Sequence, residues 1–259
     1  MLTYEVLNTA RGTAPSIYAF HIKNDIRLKP KVVILQIELL NDISDEATIE
    51  RYLGKDKYGL PKGLSNYRYI LSWDLQPLWT IHSNRFLLTR TRFFVTLDRK
   101  FGEWMNKKKP NPVFSNSYYY NLGYDQYFFT RKRLDNAFER MFSTIVEINN
   151  FCKLNGAEFL LLIIPSSYMF HDNIYRESSI NEYERAVSKA KELGLNYLSL
   201  RDAFEKGSIT GIKGAALFMD FCHPWPIGHE VISEELYNYF INKEKSFVES
   251  TTTQNITNK

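Results

Sequence analysis

Two cysteines in 259 residues, Cys152 and Cys222, give no disulfide framework and no CxxC metal pair, and they leave the redox compartment open. No apolar run is long enough to span a bilayer; Phe159 to Pro165 is a short buried-strand pattern instead. The N-terminus lacks the charged head and apolar stretch of a signal peptide. Charge of one sign is also missing, since 33 basic and 29 acidic residues leave +4. No Lys/Arg stripe stands out beyond Lys107-Lys108-Lys109, which precedes Pro110 and reads as a solvated loop, so the electrostatic footprint of a nucleic-acid partner is absent. There is no internal repeat and no sign of a second domain.

What is present suits a globular chain able to bury a full core: 44% hydrophobic, 24% charged and 15% aromatic residues. Leu2 to Leu7 alternates as a strand does, and Thr9 to Thr13 follows as a tight turn. Pro15 opens a helix, at a position where its missing N–H costs nothing, and the pattern runs to about Leu28 before Pro30 ends it. Lys31 to Leu40 (KVVILQIELL) is a β-branched apolar run, the mark of a strand covered on both faces. Strand, helix and strand in that order make a βαβ unit, which predicts a parallel sheet.

From about Asp45 to Tyr127 the pattern is irregular and rich in aromatics. It holds a predicted helix from Ser83 to Trp104, with Trp73, Trp79 and Tyr118-Tyr119-Tyr120 around it. Such a stretch suits either core packing or a binding loop. Regular alternation then resumes. A helix from Thr130 to Leu154 stops at Gly156, and a buried strand from Phe159 to Ile164 closes at Pro165. A helix from Glu182 to Leu193 stops at Gly194, a strand covers Tyr197 to Leu200, and a closing helix spans Pro226 to Phe240. The polar tail from 245 to 259 reads as disordered, so one α/β domain is expected over residues 1 to 244.

The most specific motif is Asp220-Phe221-Cys222-His223-Pro224, followed by Gly228-His229. An Asp three residues before a His, on a loop that opens a helix, can set both side chains over one site. The His then relays a proton in acyl transfer while the Asp fixes its tautomer. The same spacing also serves simple capping. Asn41-Asp42 falls at the end of the Lys31 to Leu40 strand, where α/β proteins place ligands, and a side-chain amide there can donate to an oxyanion. Gly12 offers a backbone N–H in a turn after the preceding strand. Read singly, Asn41 is a turn former and Gly12 a hinge. The ordered set, each member at the end of a strand, points to a site.

These segments resemble the conserved blocks of the SGNH/GDSL hydrolase superfamily. VLNTARGTAPS is similar to the second block, which gives Gly12 the role of oxyanion-hole glycine. KPKVVILQIELLNDI is similar to the third, which matches Asn41 to the oxyanion-hole asparagine. NGAEFLLLIIP resembles the central strand, and DFCHPWPIGHEVISEEL the last block, matching Asp220 and His223 as catalytic orienter and base. The resemblance implies a three-layer α/β/α sandwich with a mainly parallel, flavodoxin-like sheet. It also implies a serine esterase or O-acyltransferase acting on a small-molecule or carbohydrate acyl ester, with no metal and no organic cofactor.

Two departures stand out. Leu39 occupies the position where the third block usually has glycine. The first block, a Gly-Asp-Ser carrying the nucleophile, occurs nowhere in the sequence, so the N-terminal strand of the fold is expected to be missing and the nucleophile is unassigned. Ser16, Ser44, Ser166, Ser167 and Cys222 are the conceivable substitutes, and none replaces the lost serine convincingly; His229 reads as helix surface or packing, while His21, His82 and His171 have no partner legible in sequence. Two readings remain: an acyl-ester hydrolase or transferase, incomplete and weakly active as written, or a non-catalytic remnant of the fold that binds a carbohydrate or a protein. Localisation is not legible.

Overall fold

The computed structural model describes residues 15–48, 55–60, 62, 131–172, 176–220 and 222–257. The expected strand at Leu2 to Leu7, Gly12, His82, most of the aromatic middle and its helix from Ser83 to Trp104 lie outside them.

The described chain mixes helices with a three-stranded parallel sheet in the order β1 (Val32–Glu38), β2 (Glu158–Ile164), β3 (Tyr197–Ser199). The register pairs Val32 with Glu158 through Glu38 with Ile164, so these two strands finish level with each other. This is the parallel α/β organisation that the βαβ pattern predicts.

Six α-helices surround the strands among the described residues: α1 (Pro15–Asp25), α2 (Leu39–Thr48), α3 (Arg131–Leu154), α4 (Arg176–Glu192), α5 (Arg201–Lys206) and α6 (Pro226–Thr257). In α3, Leu134, Ala137, Phe138, Met141, Phe142, Ile145, Ile148, Phe151 and Cys152 recur at intervals of three and four, and all are buried. The helix stops where predicted, with Gly156 at φ 75, a conformation that would strain a β-carbon. After α1 a single 3-10 turn (Ile26–Leu28) ends on Lys29 in the left-handed region, just before Pro30.

Strand β2 is buried from Phe159 onward and divides the core. Phe159, Leu161 and Ile163 pack with Leu35 and Ile37 against residues of α1, α2, α3 and α4. Leu162 and Ile164 join Leu200, Phe204, Leu217, Val231 and Ile232 in a second cluster. Each fully buried Leu or Ile contributes roughly 1.5–3 kcal/mol of transfer free energy. Strand β1 departs from the expected two-sided cover, because Ile34 is 42% exposed and Gln36 is exposed, so its burial alternates.

Polar ties fix the helices around the strand ends. Buried Glu46 on α2 accepts from Ser16 Oγ on α1 at 2.8 and 2.6 Å and from Arg140 Nε on α3 at 2.8 Å. The Tyr183 hydroxyl of α4 meets Ile163 O at 3.1 Å and accepts the N–H groups of Leu200 and Arg201 at 3.0 and 3.1 Å. It thereby locks the end of β3 to β2. Burial pushes that phenol up to about 12, and the hydrogen bonds from Ser199, Arg201 and Leu200 offset only part of the rise.

Two helix boundaries differ from the sequence pattern, and one short helix is additional to it. Helix α4 starts at Arg176 rather than Glu182. The short helix α5 has too few residues to show a period. Helix α6 runs past Phe240 to Thr257, into the segment read as a disordered tail. Polar composition suggested disorder, but no Gly or Pro interrupts Phe240 to Thr257. Among the described residues, no helix is long and apolar enough to cross a membrane.

Candidate active site

The Asp220–His223 segment lies between a 3-10 turn (Gly214–Leu217) and the start of α6. It is pinned at its base. Phe218 and Pro224 form an antiparallel bridge, Met219 N–H donates to His223 O at 2.7 Å, and Trp225 N–H donates to Leu217 O at 2.8 Å. Gly228, in the first turn of α6, is there because nothing larger fits. A β-carbon on it would lie 2.5 Å from Leu217 O and 2.8 Å from Pro224 Cβ. Absence of a side chain lets α6 press against the loop it supports.

Asp220 uses both carboxylate oxygens. Oδ1 accepts the backbone N–H groups of Cys222 at 2.9 Å and His223 at 2.7 Å, and Oδ2 meets His223 Nδ1 at 2.7 Å. Partial burial raises the Asp220 carboxyl, but those two N–H groups and the imidazole more than reverse it, so it sits below its ordinary value. It is therefore an ionised acceptor at neutral pH. A carboxylate can only accept, so in the neutral ring the proton lies on Nδ1 and the lone pair on Nε2. The His223 side chain is 64% exposed, which leaves the ring open to an incoming group. Capping and orientation, alternatives in the sequence, are both carried by one carboxylate.

The Asn41 expectation needs correcting. The preceding strand ends at Glu38 rather than Leu40, and Asn41 sits in the first turn of α2, half-buried, not on a loop at the strand's end. Leu39, which stands where the resembled block has glycine, is the buried first residue of that helix. The early start has a local cause. Asn41 N–H donates to Glu38 Oε2 at 2.9 Å and Glu38 N–H donates to Asp42 Oδ2 at 2.7 Å, a reciprocal cap of the kind that begins helices.

The strand end and the loop meet around Cys222. Its thiol is buried and pushed far above its ordinary value, first by burial and then by the negative charges of Glu38, Asp220 and Asp42. Sγ lies 3.3 Å from His223 Nδ1. Charges at the carboxyl end of β1 and in the first turn of α2 are therefore near enough to act on the Cys222 thiol. Asp42 is itself raised well above its ordinary value, by burial first and then by Glu38, Asp45 and Glu46, against the lowering effect of the Glu38 N–H. Burial and the neighbouring Glu46 charge push Asp45 up to about 6.

Gly12 lies outside the described residues; of the other predicted groups, the structure brings Asp220 and His223 together and places Asn41 in the first turn of α2. The substitute nucleophiles fare unevenly. Ser16 is fully buried on Glu46. Ser166 and Ser167 follow β2 but are buried, and Ser166 Oγ accepts the Tyr168 N–H at 3.3 Å as a cap. Cys222 touches the ring but is a buried thiol held protonated. His229 and His171 are exposed. Cys152 is fully buried, and burial pushes its thiol up to about 11.

Glu38, and the capping role of Asp42, are not among the residues that the motifs single out. Their signal was an acid ending an apolar strand, followed four residues later by another, which is capping spacing. Comparison with protein-family models, with curated proteins and with solved structures finds no match.

Proposed function

We propose that this chain is an SGNH/GDSL-type domain for acyl-ester chemistry, a serine esterase or O-acyltransferase acting on a small-molecule or carbohydrate ester. In this reading the strands and their two-sided core belong to a three-layer α/β/α sandwich. His223 Nε2 takes the proton from an attacking hydroxyl and returns it to the leaving group, and Asp220 holds the ring tautomer and steadies the imidazolium. Asn41 and Gly12 are assigned to the oxyanion. The route uses no metal or organic cofactor.

The observation that carries the reading is the 2.7 Å contact from Asp220 Oδ2 to His223 Nδ1, on a loop braced by Gly228, with the ring exposed. The reach of charge at the carboxyl end of β1 to the neighbouring Cys222 thiol adds support, since ligands of parallel α/β sheets gather outside the carboxyl ends of strands.

The nucleophile is the missing part, as the sequence contains no Gly-Asp-Ser. Mapping the 5′ end of the transcript tests the reading. An in-frame Gly-Asp-Ser about 20–60 codons before Met1, the reach of one strand and a loop, supports it. A stop codon or unrelated coding sequence there counts against it and favours a fold kept for binding.

A further inference from the structure

We propose that Asp220, Cys222 and His223 form a three-donor site for a borderline-soft divalent cation of the zinc or cobalt class. One ligand atom from each residue lies within 4.8 Å of the others, the one such group among the described residues. Sγ of Cys222 is 3.3 Å from His223 Nδ1, which is 2.7 Å from Asp220 Oδ2. Tetrahedral zinc with bonds of about 2.0–2.3 Å separates its ligands by roughly 3.4–3.6 Å. The S–N pair is close to that spacing already, and the N–O pair must open by several tenths of an ångström. The His223 and Asp220 side chains are exposed, which leaves both room to move.

Two further features fit a cation. The donor set is nitrogen, sulfur and oxygen, which suits zinc and cobalt better than magnesium or calcium. The backbone is already fixed by the two N–H bonds to Asp220 Oδ1 and by the Met219–His223 bond, so little ordering remains to be done on binding. Three protein donors leave a fourth position for water or another ligand. The sequence hid this site because D-x-C-H is not a recognised ligand spacing and Cys222 had no visible reason to face the ring.

Binding is balanced by protons alone. The ion displaces to solvent the proton that the buried Cys222 thiol otherwise keeps, and the ring proton shifts from Nδ1, where it faces Asp220 in the free protein, to Nε2 while Nδ1 binds the ion. A loaded site therefore cannot use His223 Nε2 as a base. Metal and acid–base chemistry exclude one another here, and the inference stands independently of the esterase reading.

Cobalt titration of the chelator-treated, full-length chain tests it by spectroscopy rather than by rate. The expected result is a saturable thiolate-to-cobalt charge-transfer band, displaced by zinc. His223→Ala, at an exposed position that leaves folding intact, should weaken cobalt binding by about tenfold or more, as loss of a ligand does. Cys222→Ala should abolish the band, and Cys152→Ser should retain it. No band in the wild-type protein, a titration unchanged in His223→Ala, or loss of the band in Cys152→Ser would overturn the assignment.

Discussion

Asp220 binds His223 twice, once at the backbone N–H through Oδ1 and once at ring Nδ1 through Oδ2, each at 2.7 Å. The same carboxylate therefore shapes the turn and aims the imidazole. A residue at 220 that kept only one of these roles would fail at the other. The ring's orientation is set by the loop's own backbone, which itself rests on α6.

That dependence makes Gly228 the position to probe first. An added methyl meets Leu217 O at 2.5 Å and Pro224 Cβ at 2.8 Å, and a backbone carbonyl cannot swing aside as a side chain can. Gly228→Ala should lower unfolding stability by about 1–3 kcal/mol, the usual cost of overpacking, despite the gain in helix propensity. Urea denaturation measures it. An unchanged or raised midpoint would mean that the loop and helix do not press together as described.

Buried acids should leave a mark on the pH dependence of stability. Asp45 is held at about 6 against 3.8 for the free side chain, so the folded state binds this proton more tightly. Its contribution is complete below 3.8 and is lost as pH rises through about 6; Asp42, raised by burial, acts in the same direction. Asp56 and Asp220 are lowered and act oppositely, losing their contributions only as pH falls below 3.8. Unfolding free energy should therefore decline between about pH 4 and about pH 7. Asp45→Asn should flatten part of that decline, by no more than about 3 kcal/mol at about 1.4 kcal/mol per pK unit. Equal slopes in the two proteins would show that Asp45 is not held in this environment.

Much of this arrangement was legible before the fold was seen, and the legible part has one character. The apolar period of α3, its stop at Gly156, the run FLLLII closed by Pro165, and the D-x-x-H spacing are all properties of contiguous residues. The unread part depends on approach through space. Gly228 against Leu217 O joins residues that sequence order gives no reason to pair, and the turn of Cys222 under the ring depends on the loop's backbone rather than on its residue types. Asn41 shows the intermediate case: its segment was located correctly, but the cap between Glu38 and Asp42 moved it from the end of a strand into a helix.

Hydrolysis of p-nitrophenyl acetate by the full chain is the most direct test of His223 as the reacting base. An exposed imidazole with its Nδ1–H anchored can attack so activated an ester through Nε2, or deprotonate a water that does, even without a serine nucleophile. The wild-type protein should exceed the buffer rate modestly, His223→Ala should remove about tenfold or more of that excess, and Asp220→Asn should fall between them as the tautomer is released. A wild-type rate equal to that of His223→Ala would contradict the account.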